Sequence, residues 1–185
     1  MALVKWDFDP AHSSIEFTVR HMLVSKVRGR FTKWSGSLEI DEQDWSRSRA
    51  NVTIDVDSVD THEAQRDAHL RSPDFFDAAT HPRITFVSKR VAPRGENLAI
   101  TGDLTIRGTT REVTLDVERG GLVAKDPWGK RRAGFTATAT IDRKEFGVSF
   151  NQVLDQGGLA LGDQVNIAIE IEATASVAAN AEASA

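Results

Sequence analysis

The chain of 185 residues has no cysteine and no tyrosine, and only five prolines and two methionines. Without cysteine there can be no disulfide, no thiolate nucleophile and no cysteine-based zinc site. It has no long apolar run. No window approaches the ~18 apolar residues of a membrane-spanning helix, and Ala2 to Val4 falls short of the ~7–15 apolar residues of a secretory leader. The sequence is therefore expected to be cytoplasmic. Charge of one sign is also missing: 23 basic and 27 acidic residues are interspersed, for a net charge of −4. With no basic stripe, nucleic acid is not an expected partner. Gly-x-Ser-x-Gly, His-Glu-x-x-His and P-loop signatures are absent, so no known catalytic constellation is legible.

What is present is alternation. Ser14–His21 places Ile15, Phe17, Val19 and His21 on one face and Glu16, Thr18 and Arg20 on the other, the period of a half-buried strand. The same pattern predicts strands over Val27–Ile40, Ala50–Ser58, Arg83–Val91, Asn97–Ile106, Glu112–Arg119, Ala133–Ile141 and Gln164–Val177. Gly29 is expected to bulge or bend the second of these. Met22-Leu23-Val24 breaks the period and is expected to bend over one end of the fold. Residues 178–185, small and polar, are expected to fray, leaving one domain over residues 1–177.

One stretch, Asp60–Phe86, abandons the alternation. It holds three of the five histidines, two prolines and the pair Phe75-Phe76. EAQRDAHL favours helix, with Asp60 or Thr61 as the expected cap. Ser72-Pro73-Asp74 predicts a second short helix over PDFFDA. The insert, about residues 61–80, is expected to shape or gate whatever the strands enclose.

Eight amphipathic strands joined mostly by short turns fit an all-β fold, an antiparallel eight-stranded β-barrel that removes its own edges. Such a barrel is either filled by side chains or roomy enough for one ligand. Small inward residues at Gly102, Ala137 and Ala139 favour room. Trp34, Trp45 and Trp128, in or near loops, with Trp6 near the N-terminus, are expected to plug a barrel end. The expected lining is Phe17, Val19, Phe31, Phe75, Phe76, Phe86, Leu104 and Phe135. His21 is the leading polar contact and Arg66 the second. Phe75→Asp is expected to weaken retention of an apolar ligand more than folding.

His62, Arg66 and His69 follow helical spacing and are expected on one face. No metal site is expected there, because an arginine stands where the i+4 ligand of a zinc pair would be. Arg66 and Asp67 are expected to pair and hold the insert to the wall. No cofactor is expected.

Several runs of the chain resemble a known family. FTVRHM (Phe17–Met22), SKVRGRF (Ser25–Phe31), RDAHLRSPDFFDAATHPRITF (Arg66–Phe86), GDLTIRGTTREVTLDV (Gly102–Val117) and DRKEFGV (Asp142–Val148) are together similar to the YceI-like proteins, over nearly all of Trp6–Ala175. The resemblance implies a lipocalin-like barrel with a long apolar cavity that binds a polyisoprenoid, an isoprenoid quinone or a similar amphiphile without turnover. Relatives that form dimers make a homodimer a further expectation. The rival readings are a filled barrel serving as an interaction module and a lipid-handling enzyme.

Overall fold

The computed structural model describes residues 3–176, so Val177 and the expected tail at 178–185 lie outside the described residues. Eleven strands form one antiparallel sheet: β1 (Val4–Phe8), β2 (Ser14–His21), β3 (Ser25–Phe31), β4 (Trp34–Ile40), β5 (Arg49–Asp55), β6 (Val59–Asp60), β7 (Arg83–Arg94), β8 (Asn97–Ile106), β9 (Thr109–Val123), β10 (Arg132–Asp142) and β11 (Leu161–Ala175). Among the described residues one α-helix, α1 (Ala64–Arg71), stands between β6 and β7.

Closure is made by eight strands, in the order β1-β4-β5-β7-β8-β9-β10-β11 and back to β1. β11 is shared. Its last residues, Ala173–Ala175, pair with β1, while its earlier part pairs with β2 from Leu161 to Glu170. β2 then carries β3, and β3 carries the short β6. The barrel is therefore tightly closed at the β1 end. At the other end it flares into the β2–β3 hairpin, with α1 following from β6.

β11 shows why these residues make a wall. Gln164, Asn166, Ala168 and Glu170 are exposed, while Val165, Ile167, Ile169 and Ile171 turn inward. At the closed end Trp6, Ile40, Ala133 and Ala173 form a tightly packed cluster, with the Arg131 guanidinium over the Trp6 ring at 5.5 Å. Trp6 is wholly buried. A larger cluster at the flared end joins Ile15, Phe31, Val56, Val59, Phe75 and Ile84 to Phe146 and Val148.

The structure departs from the sequence reading in several places. β1 was not anticipated. The expected strand Val27–Ile40 is two strands, separated at Thr32-Lys33, because β3 pairs with β2 and β4 with β1 and β5. Gly29 makes no bulge, since the β2–β3 register runs through it unbroken. It is a glycine because the Phe17 ring covers it: an added Cβ would lie 2.3 Å from Phe17 Cζ. Gly102 likewise leaves no open space, since the Phe86 ring and the Val87 carbonyl press on it. Trp45 and Trp6 do close one end, but Trp128 is 76% exposed and Trp34 packs edge-on against Phe8.

The insert is also rearranged. α1 is capped by Glu63, whose carboxylate accepts the Gln65 and Arg66 N–H groups, and neither Asp60 nor Thr61 is the cap. PDFFDA is a run of tight turns, with no second helix. Its amides are spent on α1: Phe76, Ala78 and Asp77 donate to the carbonyls of Leu70, Arg71 and Ser72, groups that a helix end leaves unpaired. His62 lies before the helix with φ 61°, so it shares no helix face with Arg66 and His69.

Candidate functional site

Inside the walls lies a cavity of about 520 Å³. It runs from Trp45, Leu38 and Ile171 near the closed end to His21, Arg66, His69, Phe150 and Gln152 at the flared end. Between them the lining is aliphatic and aromatic, from Val52 and Ile54 on β5 to Ile100 and Leu104 on β8 and Val165–Ile171 on β11. The inward side chains Val165, Ile167, Ile169 and Ile171 are only half-buried, and so are Phe17 and Phe86. Residues that face the inside of a barrel and still carry accessible surface border a space that side chains do not fill.

The eight expected lining residues and the two expected polar contacts, His21 and Arg66, all border this cavity. Phe17, Val19 and His21 come from β2, Phe31 from β3, Phe86 from β7, Leu104 from β8 and Phe135 from β10, while Arg66, Phe75 and Phe76 come from the insert. The phenylalanines form a chain of touching rings. Phe17 meets Phe31 at 5.6 Å and Phe31 meets Phe76 at 5.9 Å. Phe75 leans the other way, on Phe150 and on His69. Phe135 stands beside Trp45 at the closed end.

Phe75 and Phe76 divide their roles. Phe75 is buried to 7% exposure, and its carbonyl accepts from Arg107 Nη1 at 2.9 Å. A charge there would be buried in the core cluster, so Phe75→Asp strikes folding first, contrary to the expectation from sequence. Phe76 is half-buried and packs edge-on against Phe31.

Several of the polar side chains around the cavity are committed to holding the chain. Arg66 Nε donates to Thr61 Oγ1 at 2.7 Å and its Nη2 to the Thr61 carbonyl at 2.8 Å. Asp67 accepts from the same residue, at 2.9 Å from the Thr61 N–H and 2.6 Å from its hydroxyl. Arg66 and Asp67 thus converge on Thr61, which is buried, and do not form the direct pair expected from sequence. His69 Nε2 lies 2.9 Å from the Asp74 carboxylate. His21 is half-buried on the wall where β2 ends.

Arg143, Phe146, Phe150 and Gln152 also line the cavity and were missed. They follow β10, in an irregular stretch that the sequence reads as a turn and a short extended piece. Arg143 is 5% exposed. It donates through Nε to the Gly162 carbonyl and through Nη1 to those of Val148 and Phe150, each at 2.8–2.9 Å. Burial lowers its pKa below the ordinary arginine value, opposed by the nearby Asp163 and Asp142 charges. It staples the segment after β10 to the start of β11, and so fixes one side of the flared end. The helix of the insert was legible. The signal for this second flap was only its two phenylalanines, Phe146 and Phe150.

An antiparallel barrel closed at one end, flared at the other and hollow between them is the class of protein the geometry defines. The YceI-like domain model matches residues 6–173. The chain belongs to the YceI-like family. It is 41% identical to a UPF0312 protein of Staphylococcus epidermidis over 171 residues, which are 92% of this chain and 97% of that one. A UPF0312 protein of Staphylococcus aureus is 42% identical over the same shares. Among solved structures, BcnA of Burkholderia cenocepacia superposes with a TM-score of 0.79 at 29% identity, over 90% of this chain and 99% of that one. The YCEI protein of Campylobacter jejuni gives 0.71 at 32% identity, over 84% and 88%. A polyisoprenoid binding domain from Saccharophagus degradans shares the fold, with a TM-score of 0.64 at 16% identity over 94% and 99%.

Proposed function

We propose that the protein binds one long-chain apolar amphiphile, a polyisoprenoid, an isoprenoid quinone or a similar lipid, in the barrel cavity, and carries or stores it without chemical change. The half-buried inward aliphatic residues of β11 carry this reading, because they border an apolar space of about 520 Å³. That volume falls within the ~300–1,000 Å³ usual for ligand pockets. Each methylene moved from water into the cavity contributes roughly 0.8 kcal/mol, and ordering the chain takes part of this back. Affinity then follows length and shape, with weak discrimination among long chains. The polar head belongs at the flared end, beside His21. Arg66 is second, since two of its nitrogens already serve Thr61. Two of the charged lining residues, Arg66 and Arg143, are bonded to the chain itself, which fits carriage without turnover.

The test is native mass spectrometry of the purified protein, followed by denaturation and lipid extraction. One long-chain lipid per protein is expected, either as purified or after incubation with polyprenol. A mass equal to the bare chain under both conditions would refute the reading.

A further inference from the structure

The flared end presents apolar side chains to water at two neighbouring tips. On the β2–β3 turn, Met22, Leu23 and Val24 are 47%, 69% and 85% exposed; on the loop before β11, Val153 and Leu159 are 78% and 40% exposed. The tips are joined, since the Met22 N–H donates to the Ala160 carbonyl at 2.7 Å and Val153 bridges Leu159. Both flank the cavity: His21 and Val27 on one side of the first tip and around it, and Gln152, Ala160 and Leu161 around the second, are all lining residues. The first tip also holds Met22 and Leu23 at φ 52° and 62°, a left-handed backbone that bulky side chains rarely adopt. Folding the chain so as to leave apolar groups in water on a strained turn favours neither stability nor solubility, and such strain clusters where a surface is used.

Directly behind the first tip, the outer face of the hairpin is basic. Arg20 and Lys26 stand opposite each other, with Arg28 next along β3. All three are exposed. Arg30, further back, is paired with Asp60, whereas Arg20, Lys26 and Arg28 stand in no ion pair among the described residues. Asp155 is the acid on the second tip. Apolar prongs below a row of free cations match the layering of an anionic bilayer, acyl chains beneath phosphates. A second copy of the chain, meeting this face symmetrically, would set the same cations against each other.

We propose that the Met22–Val24 and Val153–Leu159 tips dock the flared end onto an anionic membrane, with Arg20, Lys26 and Arg28 against the lipid phosphates. In that pose the cavity opens toward the acyl region, so a lipid could pass between bilayer and barrel without crossing water. The proposal builds on the binding reading above but is tested separately from it.

The test is flotation of the full chain with vesicles of phosphatidylcholine alone or mixed with phosphatidylglycerol. Binding is expected with the mixed vesicles and is expected to fall as salt rises. Leu23→Asp with Val24→Asp is expected to reduce it at least tenfold, and Lys26→Glu by about fivefold or more. Circular dichroism is expected to be unchanged in both, because the altered side chains are exposed. Polyprenol uptake from detergent micelles reads the cavity independently. Uptake from micelles with no flotation on either vesicle would overturn docking and leave cavity binding standing. Flotation that ignores the Leu23 and Val24 changes would overturn the assignment of the tips. A dimer in light scattering that the same changes dissolve, with no flotation, would make the tips an interface between copies and also overturn it. Flotation without polyprenol uptake would keep docking and sink the binding reading.

Discussion

Ile169→Trp tests the cavity at its middle. Ile169 faces inward from β11, is half-buried and borders the cavity. In a filled barrel an indole at this site would be overpacked and cost about 1–3 kcal/mol. In a hollow one it extends into the space available and costs little, less than about 1 kcal/mol. The same indole then takes room from a ligand. It adds roughly two to three methylene volumes over isoleucine, and at roughly 0.8 kcal/mol each that removes about 2 kcal/mol of binding, about thirtyfold in Kd. Val59→Phe is the matched control, because Val59 is 2% exposed and packed in the core away from the cavity lining. That change is expected to cost the full overpacking penalty. Urea midpoints of the two variants and displacement of a fluorescent polyprenyl analogue read both quantities. A large stability loss in Ile169→Trp with affinity unchanged would refute the hollow barrel and the ligand placement together.

Two glycines separate folding from binding. Gly36→Ala would set a Cβ 2.2 Å from the Asn51 carbonyl, a backbone atom that cannot give way, so urea denaturation is expected to show a loss of about 1–3 kcal/mol. The nearest atoms to a Cβ in Gly29→Ala all belong to the Phe17 ring, which can swing into the cavity, so the same pair of assays is expected to show weaker ligand binding and a smaller change in stability. At the closed end, Trp6 Nε1 is buried without a partner. Trp6→Ala is expected to cost about 3–5 kcal/mol, whereas Trp6→Phe, which removes the unmatched donor, is expected to cost under about 2 kcal/mol. Outside the barrel, His12 Nδ1 lies 3.0 Å from the Asp9 carboxylate, a contact that raises the histidine pKa above 6.5 and lowers the aspartate pKa below 3.8. The raised histidine contributes stability that is full below its ordinary pKa and fades as pH rises through its folded value. The lowered aspartate contributes stability that is full above its ordinary pKa and fades as pH falls through its folded value. The pair is therefore strongest between about 3.8 and 6.5, and Asp9→Asn is expected to bring the His12 midpoint, followed by NMR, back toward its ordinary value.

The ease of reading this chain from sequence depends on how far apart its partners are. β8, β10 and β11 were legible because alternation is local: each residue's side is set by its neighbours two away. β1 alternates as well, with Val4, Trp6 and Phe8 against Lys5 and Asp7, but five residues ahead of Pro10 are too few to stand out. Its burial comes from Ile40 and Ala173, far away in the chain. The break at Thr32-Lys33 was invisible for the same reason. β3 and β4 run on in one direction, and only their different partners divide them. PDFFDA had every local mark of a helix start, but its amides were already claimed by the end of α1.

The glycines mark the same limit from the other side. Gly29, Gly36 and Gly102 sit within strands, where a missing side chain reads from sequence as a bend or as open space. In the fold each lies under an aromatic ring: Phe17 over Gly29, Phe8 beside Gly36 and Phe86 over Gly102. The sequence shows the rings and the glycines, but only the register shows that they belong together. Two of those rings, Phe17 and Phe86, also line the cavity while remaining half-buried. The glycines thus draw large aromatic residues back against the wall, and the barrel keeps both its phenylalanines and its hollow. A wall that carried alanine at Gly29 would push the Phe17 ring inward, into the space of the cavity, while alanine at Gly102 would strike the Val87 carbonyl as well as the Phe86 ring.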